Sequence, residues 1–387
     1  MGISLHKQCY LMYKRILNNT IINSFKDGFA SIIYGARRVG KTVLLGQIKQ
    51  TLKADNVLFF NGDTQESIDA LNTKSDVKLS SLVKNFDLIF IDEAQKIPNI
   101  TLAVKIILDK FPAKKIVITG SSSLQLNSGA KENLTGRNFS FNLYPLSTSE
   151  LSQDLPKYKI PALLDDQLVF GGYPYVYSLG VKEEKEKYLL QIVSDYLFKD
   201  ILLLEKLDHP EAFKKLAILL AFQIGNEVSL NELANNLNIG VKTVSRYLDL
   251  LEKSFVIFHL DAYSTNLRNE VNKSKKYYFF DLGIRNALIK QFHQVADRVD
   301  IGHLWENFLI VERKKKLEYG GKISQHFFWR NYAGAEVDLI EIDDNNLMSA
   351  FEFKWKKNKA KTPKNFKDNY KIEVKVISKE NYLDYIL

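Results

Sequence analysis

Short apolar runs alternate with amphipathic segments through the first third of the chain. Each run has the length and composition of a strand that is buried on both faces. The runs cover residues 29–34, 57–60, 86–91 and 115–120. The segments between them carry apolar residues at helical spacing. Because strands that alternate with helices are typical of a parallel sheet, the pattern predicts an α/β domain here.

The middle of the chain has the pattern of helices. Residues 150–225 are mainly helical, and the stretch 182–207 carries apolar residues at helical spacing. Charges of alternating sign near the start of that stretch are typical of an exposed helix face. We expect packing or lid roles for this region and assign it no chemistry.

Residues 228–251 have the pattern of a helix-turn-helix. Ser229 is expected to cap the first helix, with Glu232 three residues later as in a capping box. Asn238-Ile239-Gly240 forms the turn, and the alternating run at 255–260 has the position of a wing. The pattern therefore predicts a winged helix.

The exposed N-terminal end of the second helix is a candidate DNA contact. The residues expected there are Lys242, Thr243 and Arg246. Asp249 and Glu252 on the same helix lower its positive potential. Winged helices also serve as lids and as protein docks, so both interpretations stay open.

A helix and a hairpin are predicted near the C-terminus. An amphipathic helix carries Glu306 near its start, and two alternating strands then flank an Asp-Asp-Asn-Asn turn. Asp338 lies on the first strand, and Glu352 and Lys354 share one face of the second. Acids on a hairpin are also common on a solvent face, so the pattern alone leaves an ordinary hairpin and a metal site both open.

Length and composition set the domain count and the class of protein. A chain of 387 residues predicts two or three domains, which we place at 1–148, 149–265 and 266–387. A single cysteine excludes an intramolecular disulfide framework. No apolar run approaches the roughly 20 residues of a membrane span, so we expect a cytoplasmic protein without membrane contact.

The charge balance is basic, and the excess is unevenly placed. The formal net charge is +9, and ten lysines lie between Phe351 and Lys379. This segment is either a solvated face or a patch that contacts phosphates. A basic balance suits a polyanion partner without requiring one.

The loop after the first predicted strand carries a phosphate-binding motif. GARRVGKT, from Gly35 to Thr42, matches G-x-x-x-x-G-K-[ST] in full. Backbone N–H groups of such a loop hold phosphates, Lys41 reaches the β and γ phosphates, and Thr42 ligates Mg²⁺. The residues expected to bind ATP and Mg²⁺ are Gly35, Arg37, Arg38, Val39, Gly40, Lys41, Thr42, Val43, Asp92 and Ser121.

Two further positions complete the predicted nucleotide site. Asp92 and Glu93 end an apolar strand, where an Asp holds Mg²⁺ through water and a following Glu polarises the attacking water. Ser121 follows the strand at 115–120 and is either a sensor of the γ-phosphate or part of a simple turn.

These motifs together resemble a prokaryotic AAA+-type ATPase family. The segments that carry the resemblance are GARRVGKT, LIFIDEAQ, ITGSSS, LTGR at 134–137, YPLS at 144–147, GGYP at 171–174 and YYFFDLG at 277–283, so it covers almost the whole chain. It implies ATP hydrolysis and an oligomer such as a hexameric ring. Arg137 matches the position of an arginine finger that completes a neighbouring subunit's site, with a local ion pair as the alternative.

The C-terminal pattern resembles PD-(D/E)xK nucleases, a fold that archaeal Holliday-junction resolvases share. The resemblance implies that Asp338 and Glu352 ligate Mg²⁺ and that Glu306 completes the acidic site. Lys354 would orient the attacking water or stabilise charge on the phosphate. Such domains also persist as inactive binding modules, so cleavage and binding stay open.

The sequence therefore predicts an α/β protein with a P-loop AAA+-like domain, a helical and winged-helix middle domain and an α/β nuclease-like C-terminal domain. The expected function is Mg²⁺-dependent ATP hydrolysis coupled to binding or remodelling of duplex or branched DNA, with C-terminal nuclease activity as a further expectation. The alternative is a nucleotide-driven switch that binds a protein partner and carries an inactive nuclease-like domain.

Overall fold

The computed structural model describes residues 13–120, 134–198, 207–264, 275–331, 333–356 and 361–387, and only the backbone of 196 and 197. The chain forms two compact units. The first comprises Met1–Tyr144 with Lys253–Phe255, and the second comprises Pro145–Glu252 with Val256–Leu387. Within the described ranges, no helix combines the length and apolar character that crossing a membrane would need.

The first unit is built around a parallel sheet. Its strands are β1 Ala30–Tyr34, β2 Val57–Asn61, β3 Leu88–Asp92, β4 Lys115–Gly120 and β5 Asn138–Asn142. Its helices are α1 Leu17–Asn23, α2 Lys41–Leu52, α3 Gln65–Leu71, α4 Asp76–Val83 and α5 Ile100–Lys110. The sheet order is β2-β3-β4-β1-β5 and all its pairs are parallel, which confirms the predicted α/β pattern.

The sheet order places the functional ends of three strands side by side. β1 and β3 are buried along their whole length, as their unbroken apolar runs predict. β4 lies between them, so the loop after β1 and the acids at the end of β3 flank the end of β4. Because the strands are parallel, their carboxyl ends meet at one edge of the sheet.

The second unit combines helices with a larger sheet. Its helices are α6 Thr148–Leu151, α7 Leu163–Phe170, α8 Lys182–Gln191, α9 Pro210–Phe222, α10 Leu230–Leu237, α11 Val241–Lys253, α12 Leu282–Leu288, α13 Ile301–Tyr319, α14 Lys364–Tyr370 and α15 Tyr382–Ile386. Its strands are β6 Glu227–Val228, β7 Ile257–Ala262, β8 Lys275–Phe279, β9 Ser324–Arg330, β10 Glu336–Asp343, β11 Met348–Phe353 and β12 Val374–Ile377. A π-helical segment, Ile192–Phe198, follows α8.

The helices α10 and α11 begin where the sequence predicts them. The Ser229 hydroxyl accepts a hydrogen bond from the Glu232 N–H at 3.4 Å and caps α10. Asn238 turns the chain with a positive φ of 53°. Helix α11 then buries Val244, Leu248 and Leu251, as its periodicity predicts.

The strands β7 and β8, where the sequence predicts the wing, are part of a larger sheet. β7 pairs with β8 in antiparallel fashion and with β9 in parallel, giving one seven-stranded sheet of order β12-β11-β10-β9-β7-β8-β6. The domain boundary expected at 265/266 therefore lies within one compact unit. The pairing of β7 with β9 joins strands that are far apart in the chain.

Candidate functional site

The loop between β1 and α2 is held closed by its own lysine. The Lys41 ammonium donates to the carbonyl oxygens of Gly35 and Ala36, both at 3.0 Å, and the residue is buried. Burial lowers the pKa of Lys41, while the carboxylates of Glu93 and Asp92 partly offset this. A phosphate beside Lys41 would further stabilise its charge.

Two glycines allow the loop to take this shape. A Cβ on Gly35 would lie 2.3 Å from the carbonyl oxygen of Leu143, so no larger residue fits there. Gly40 adopts a φ of 100° immediately before α2, which L residues rarely adopt. These requirements explain why the motif needs glycine at both positions.

Asp92 lies opposite the loop and contacts two hydroxyl groups. Thr42 donates to its Oδ2 at 2.6 Å, and Thr119 donates to its Oδ1. Thr42 and Asp92 thus lie together as the motif spacing predicts, and their oxygens are the donor set that Mg²⁺ prefers. Thr119 was not predicted, although a polar residue near the end of an apolar strand is a usable signal.

Glu93 is held in a defined orientation next to Asp92. Its backbone has a positive φ of 49°, and its N–H donates to the Thr119 hydroxyl at 3.1 Å. The Gln95 amide donates to the Glu93 carboxylate at 2.6 Å. A carboxylate that is oriented by Gln95 on a backbone fixed by Thr119 can accept a proton from a water in a defined direction.

Arg15 supports the phosphate-binding loop from behind and was missed by the sequence interpretation. Its guanidinium donates to the carbonyl oxygens of Val39 at 2.7 Å and Tyr144 at 2.6 Å. Its backbone N–H donates to the Gln47 side chain at 3.0 Å. Arg15 is 5% exposed, so the support of the phosphate-binding loop depends on a buried charge. No short sequence motif predicts such a contact.

Arg137 and Ser121 are the other two residues predicted to act at a nucleotide site. Arg137 forms an ion pair with Asp109, and its carbonyl accepts a hydrogen bond from Ala30 at the start of β1. It therefore lies at the opposite end of the sheet from its own phosphate-binding loop, and its action on a neighbouring subunit stays a prediction. Ser121 lies outside the described residues.

The four predicted C-terminal site residues do come together. Glu306 lies on α13, Asp338 on β10, Glu352 on β11, and Lys354 directly follows β11. Asp338 accepts a hydrogen bond from the Phe353 N–H at 2.7 Å. Burial raises the pKa of Asp338 well above its ordinary value, and the neighbouring Glu306 and Glu352 carboxylates add to this.

Strand β8 adds two residues to this acidic cluster that the sequence interpretation did not predict. Tyr278 donates to Glu306 at 2.6 Å, and the Lys276 ammonium lies 3.5 Å from the same carboxylate. Lys276 also pairs with Glu336. Burial opposes the charge of Lys276, but the surrounding carboxylates outweigh it, and the net result is a raised pKa.

As placed, the cluster does not fit a divalent metal. Among the described residues, no group of three His, Cys, Asp or Glu side chains is arranged to hold a metal ion. Each predicted ligand is instead engaged by a donor of the protein: Glu306 by Tyr278, Asp338 by a backbone N–H, and Glu352 by Lys354 at 2.5 Å. The predicted metal site is thus an internally neutralised acidic cluster in this structure.

The predicted DNA-contacting residues lie on the first turns of α11. Lys242 and Arg246 are exposed and Thr243 is half-buried. Arg246 lies 3.9 Å from Asp208, at the outer limit of an ion pair. Among the three, Arg246 thus has an acidic neighbour that a polyanion would have to displace.

The sheet, the phosphate-binding loop and the acidic strand end define a P-loop ATPase domain. Family models match three stretches of the chain: an AAA domain at residues 28–152, a domain of unknown function (DUF8612) at 161–295, and another (DUF4143) at 301–385. The first match supports ATP hydrolysis. The other two assign no activity.

Similar proteins span most of the chain. An uncharacterized protein of Haemophilus influenzae is 26% identical over 378 residues, covering 90% of this chain and 89% of its own. Uncharacterized proteins of Methanocaldococcus jannaschii and Mycobacterium tuberculosis are 24% and 25% identical, covering 86% and 89% of this chain and 76% and 75% of their own. The similarity thus extends over most of the length of proteins from two bacteria and an archaeon.

Among solved structures, the chain is similar to the Walker-type ATPase PABY2304 of Pyrococcus abyssi. The likeness covers 75% of this chain and 96% of that one, with 16% identity and a TM-score of 0.48. At that TM-score, the likeness does not bear on the fold.

Proposed function

We propose that this protein couples Mg²⁺-dependent ATP hydrolysis to the binding or remodelling of DNA. The observation that carries the ATPase part is the convergence of Lys41, Thr42 and Asp92 at one sheet edge. The DNA part is supported by the exposed basic end of α11 in a helix-turn-helix that we interpret as part of a winged helix.

The nucleotide site divides the work among its residues. The N–H groups at the start of α2 and the Lys41 ammonium would bind the phosphates. Thr42 and Asp92 would hold Mg²⁺, which supplies charge neutralisation at the phosphates when bound. Glu93, held by Thr119 and Gln95, would orient the attacking water.

The test of this proposal is the ATPase rate with and without DNA. Four conditions are compared: no DNA, duplex, single strand and four-way junction, each over a range of salt concentrations. We expect DNA to stimulate hydrolysis, most strongly for the structure on which the protein acts. If none of the three DNAs stimulates hydrolysis and none binds in a salt-sensitive way, the DNA part of the proposal is excluded. The ATPase part is unaffected by that result.

The contribution of α11 is tested with the double variant K242A/R246A. Removing two phosphate contacts should weaken DNA binding and reduce the slope of log K against log salt by about 2. The matched control is K74A/K78A, which removes the same charge from exposed positions in the first unit. Equal losses in both variants would mean that the overall charge, and not the helix end, determines binding.

A nucleotide-driven switch that docks a protein partner is the second candidate. The acidic residues Asp249 and Glu252 on α11 favour it, because they reduce the attraction of this helix for phosphates. In that case, DNA would leave the ATPase rate unchanged. Self-association, with Arg137 acting on a neighbouring subunit, belongs to either candidate and is tested by sizing the protein with an ATP analogue.

A nuclease-like fold for the C-terminal region is supported by the convergence of Asp338, Glu352 and Lys354. Because the carboxylates do not fit a metal as placed, we propose a DNA-binding role for this region. Cleavage of duplex and junction DNA in Mg²⁺ or Mn²⁺ is compared between the wild type and the double variant D338N/E352Q. Nicking that the variant loses would establish a nuclease, and equal residual nicking would indicate contamination.

A further inference from the structure

The acidic cluster of the second unit contains more negative charge than its predicted motif. Glu336, on β10 with Asp338, joins Glu306 and Glu352, so four carboxyl groups surround one region. Carboxylates that are held together and removed from water are stabilised by a cation among them or by the uptake of a proton. In a metalloenzyme, a divalent ion fills that role.

Here, Lys276 fills that role for Glu306 and Glu336, while Lys354 pairs with Glu352. The Lys276 ammonium lies 3.5 Å from Glu306 and forms an ion pair with Glu336, so it bridges helix α13 and strand β10. Only 3% of the lysine side chain is exposed. It also lies 5.3 Å from the centre of the Phe328 ring, which adds a favourable cation–π contact. A buried ammonium with these contacts is a fixed part of the cluster.

The neighbouring tyrosine strengthens this arrangement. Tyr278 lies two residues after Lys276 on β8 and therefore shares its face of the strand. Its hydroxyl donates to the same Glu306 oxygen that faces Lys276. Strand β8 thus supplies both donors that engage Glu306.

This site crosses the boundary between two sequence families. Lys276 and Tyr278 belong to the stretch that matches DUF8612, and Glu306, Glu336, Asp338 and Glu352 belong to the stretch that matches DUF4143. Neither stretch alone contains both the acids and Lys276. The continuous sheet holds them together, because β8 is joined to β10 through β7 and β9.

We propose that Lys276 is the built-in counter-cation of this acidic site and that a divalent metal binds there only by displacing it. The lysine thus keeps the affinity of the cluster for a divalent metal low. The inference does not depend on the proposed action on DNA, because it concerns the binding of the metal alone.

The test measures Mn²⁺ binding to nucleotide-free protein by titration calorimetry. All proteins carry D92N, so that the carboxylate of the nucleotide site does not contribute. We expect K276M to bind one Mn²⁺ at least about tenfold more tightly than its parent, because a competing buried charge is gone. K276R should bind as weakly as the parent, and adding D338N to K276M should abolish the gain.

The adjacent lysine provides the matched control. Lys275 is 41% exposed and pairs with Asp261 at 3.6 Å, away from the cluster, so K275M should leave Mn²⁺ binding unchanged. Since removing Lys276 alone leaves acids without their partner, K276M/E336Q is measured in parallel. That variant removes both members of the ion pair and retains Glu306, Asp338 and Glu352.

Mn²⁺-dependent thermal stabilisation supplies a second readout. The melting temperature of K276M or K276M/E336Q should rise with added Mn²⁺, and that of the parent should not. The proposal is overturned if neither variant binds Mn²⁺ more tightly than the parent. It is equally overturned if the parent itself binds Mn²⁺ at this cluster as tightly as the variants do.

Discussion

The hydroxyl of Thr42 donates a 2.6 Å hydrogen bond to Asp92, a residue fifty positions away in the chain. This contact joins the N-terminal end of α2 to the carboxyl end of β3 across the end of β4. It brings together the two oxygen donors that the nucleotide site offers to Mg²⁺.

Substitutions at Lys41 and at Asp92 should nearly abolish ATP hydrolysis. We expect K41A and D92N each to lower kcat by at least about two orders of magnitude, because both groups act on charge that develops at the phosphates. Phosphate release is measured under saturating ATP and Mg²⁺. Lys49, exposed on the outer face of α2, is the control site, and K49A should hydrolyse ATP normally. Full turnover by K41A would contradict the assignment of the loop.

Thr119 is expected to act as a positioning residue. It donates to Asp92 and accepts from the Glu93 N–H, so T119V should misplace both carboxylates without touching the nucleotide. We expect kcat to fall roughly tenfold to a hundredfold with little change in KM for ATP. T119S restores the hydroxyl and should recover most of the rate. An equal loss in T119S would mean that the methyl group, through packing, is what matters.

Arg15 is expected to contribute mainly to stability. Replacing it with Met leaves the carbonyl oxygens of Val39 and Tyr144 without their donor in a buried setting. The free energy of unfolding should fall by about 2–4 kcal/mol. Chemical denaturation measures this, with the exposed K49M as the control. A change below about 0.5 kcal/mol, the range of ordinary surface substitutions, would show that the loop does not need this support.

His326 should make the stability of the second unit dependent on pH. Burial lowers its pKa to about 4, with Lys314 and Arg313 adding to the effect and Glu341 and Glu318 opposing it. The unfolded chain therefore binds more protons than the folded one between pH 6.5 and about 4. Stability should fall as the pH falls through that window, by at most on the order of 3 kcal/mol.

The matching experiment compares H326Q with H293Q, which changes an exposed histidine. Unfolding is followed at pH 7 and at pH 4.5 in each protein. H326Q should lose less stability on acidification than the wild type, whereas H293Q should behave like the wild type. Identical pH dependence in all three proteins would rule out His326 as its source.

The parts of the site that the sequence predicted are those fixed by local geometry. A strand, a tight loop and a helix place Lys41 and Thr42 without reference to the rest of the chain. The position of Asp92 is also predictable, because a polar residue at the carboxyl end of a buried parallel strand lies at the same sheet edge as the loop. Arg15 and Thr119 act through contacts between residues that are distant in the chain. Local sequence spacing does not predict such contacts, so these two roles are seen only in the structure.

The second unit shows the same limit more clearly. The periodicity of residues 228–251 predicts both helices, and the alternation around Asp338 and Glu352 predicts the hairpin. The pairing of β7 with β9 joins strands separated by more than sixty residues, and short-range patterns do not report such pairs. Lys276 could not be assigned to the acidic cluster without that pairing.

The seven-stranded sheet has a practical consequence for dividing the protein. A cut at 265/266 would separate β8 from both of its partners, β6 and β7, and would also part β7 from β9. Each fragment would then expose unpaired strand edges, which can pair with other chains and cause aggregation. Residues 145–387 should therefore be produced as one piece, since the strands that flank the helix-turn-helix and the acidic hairpin belong to one sheet.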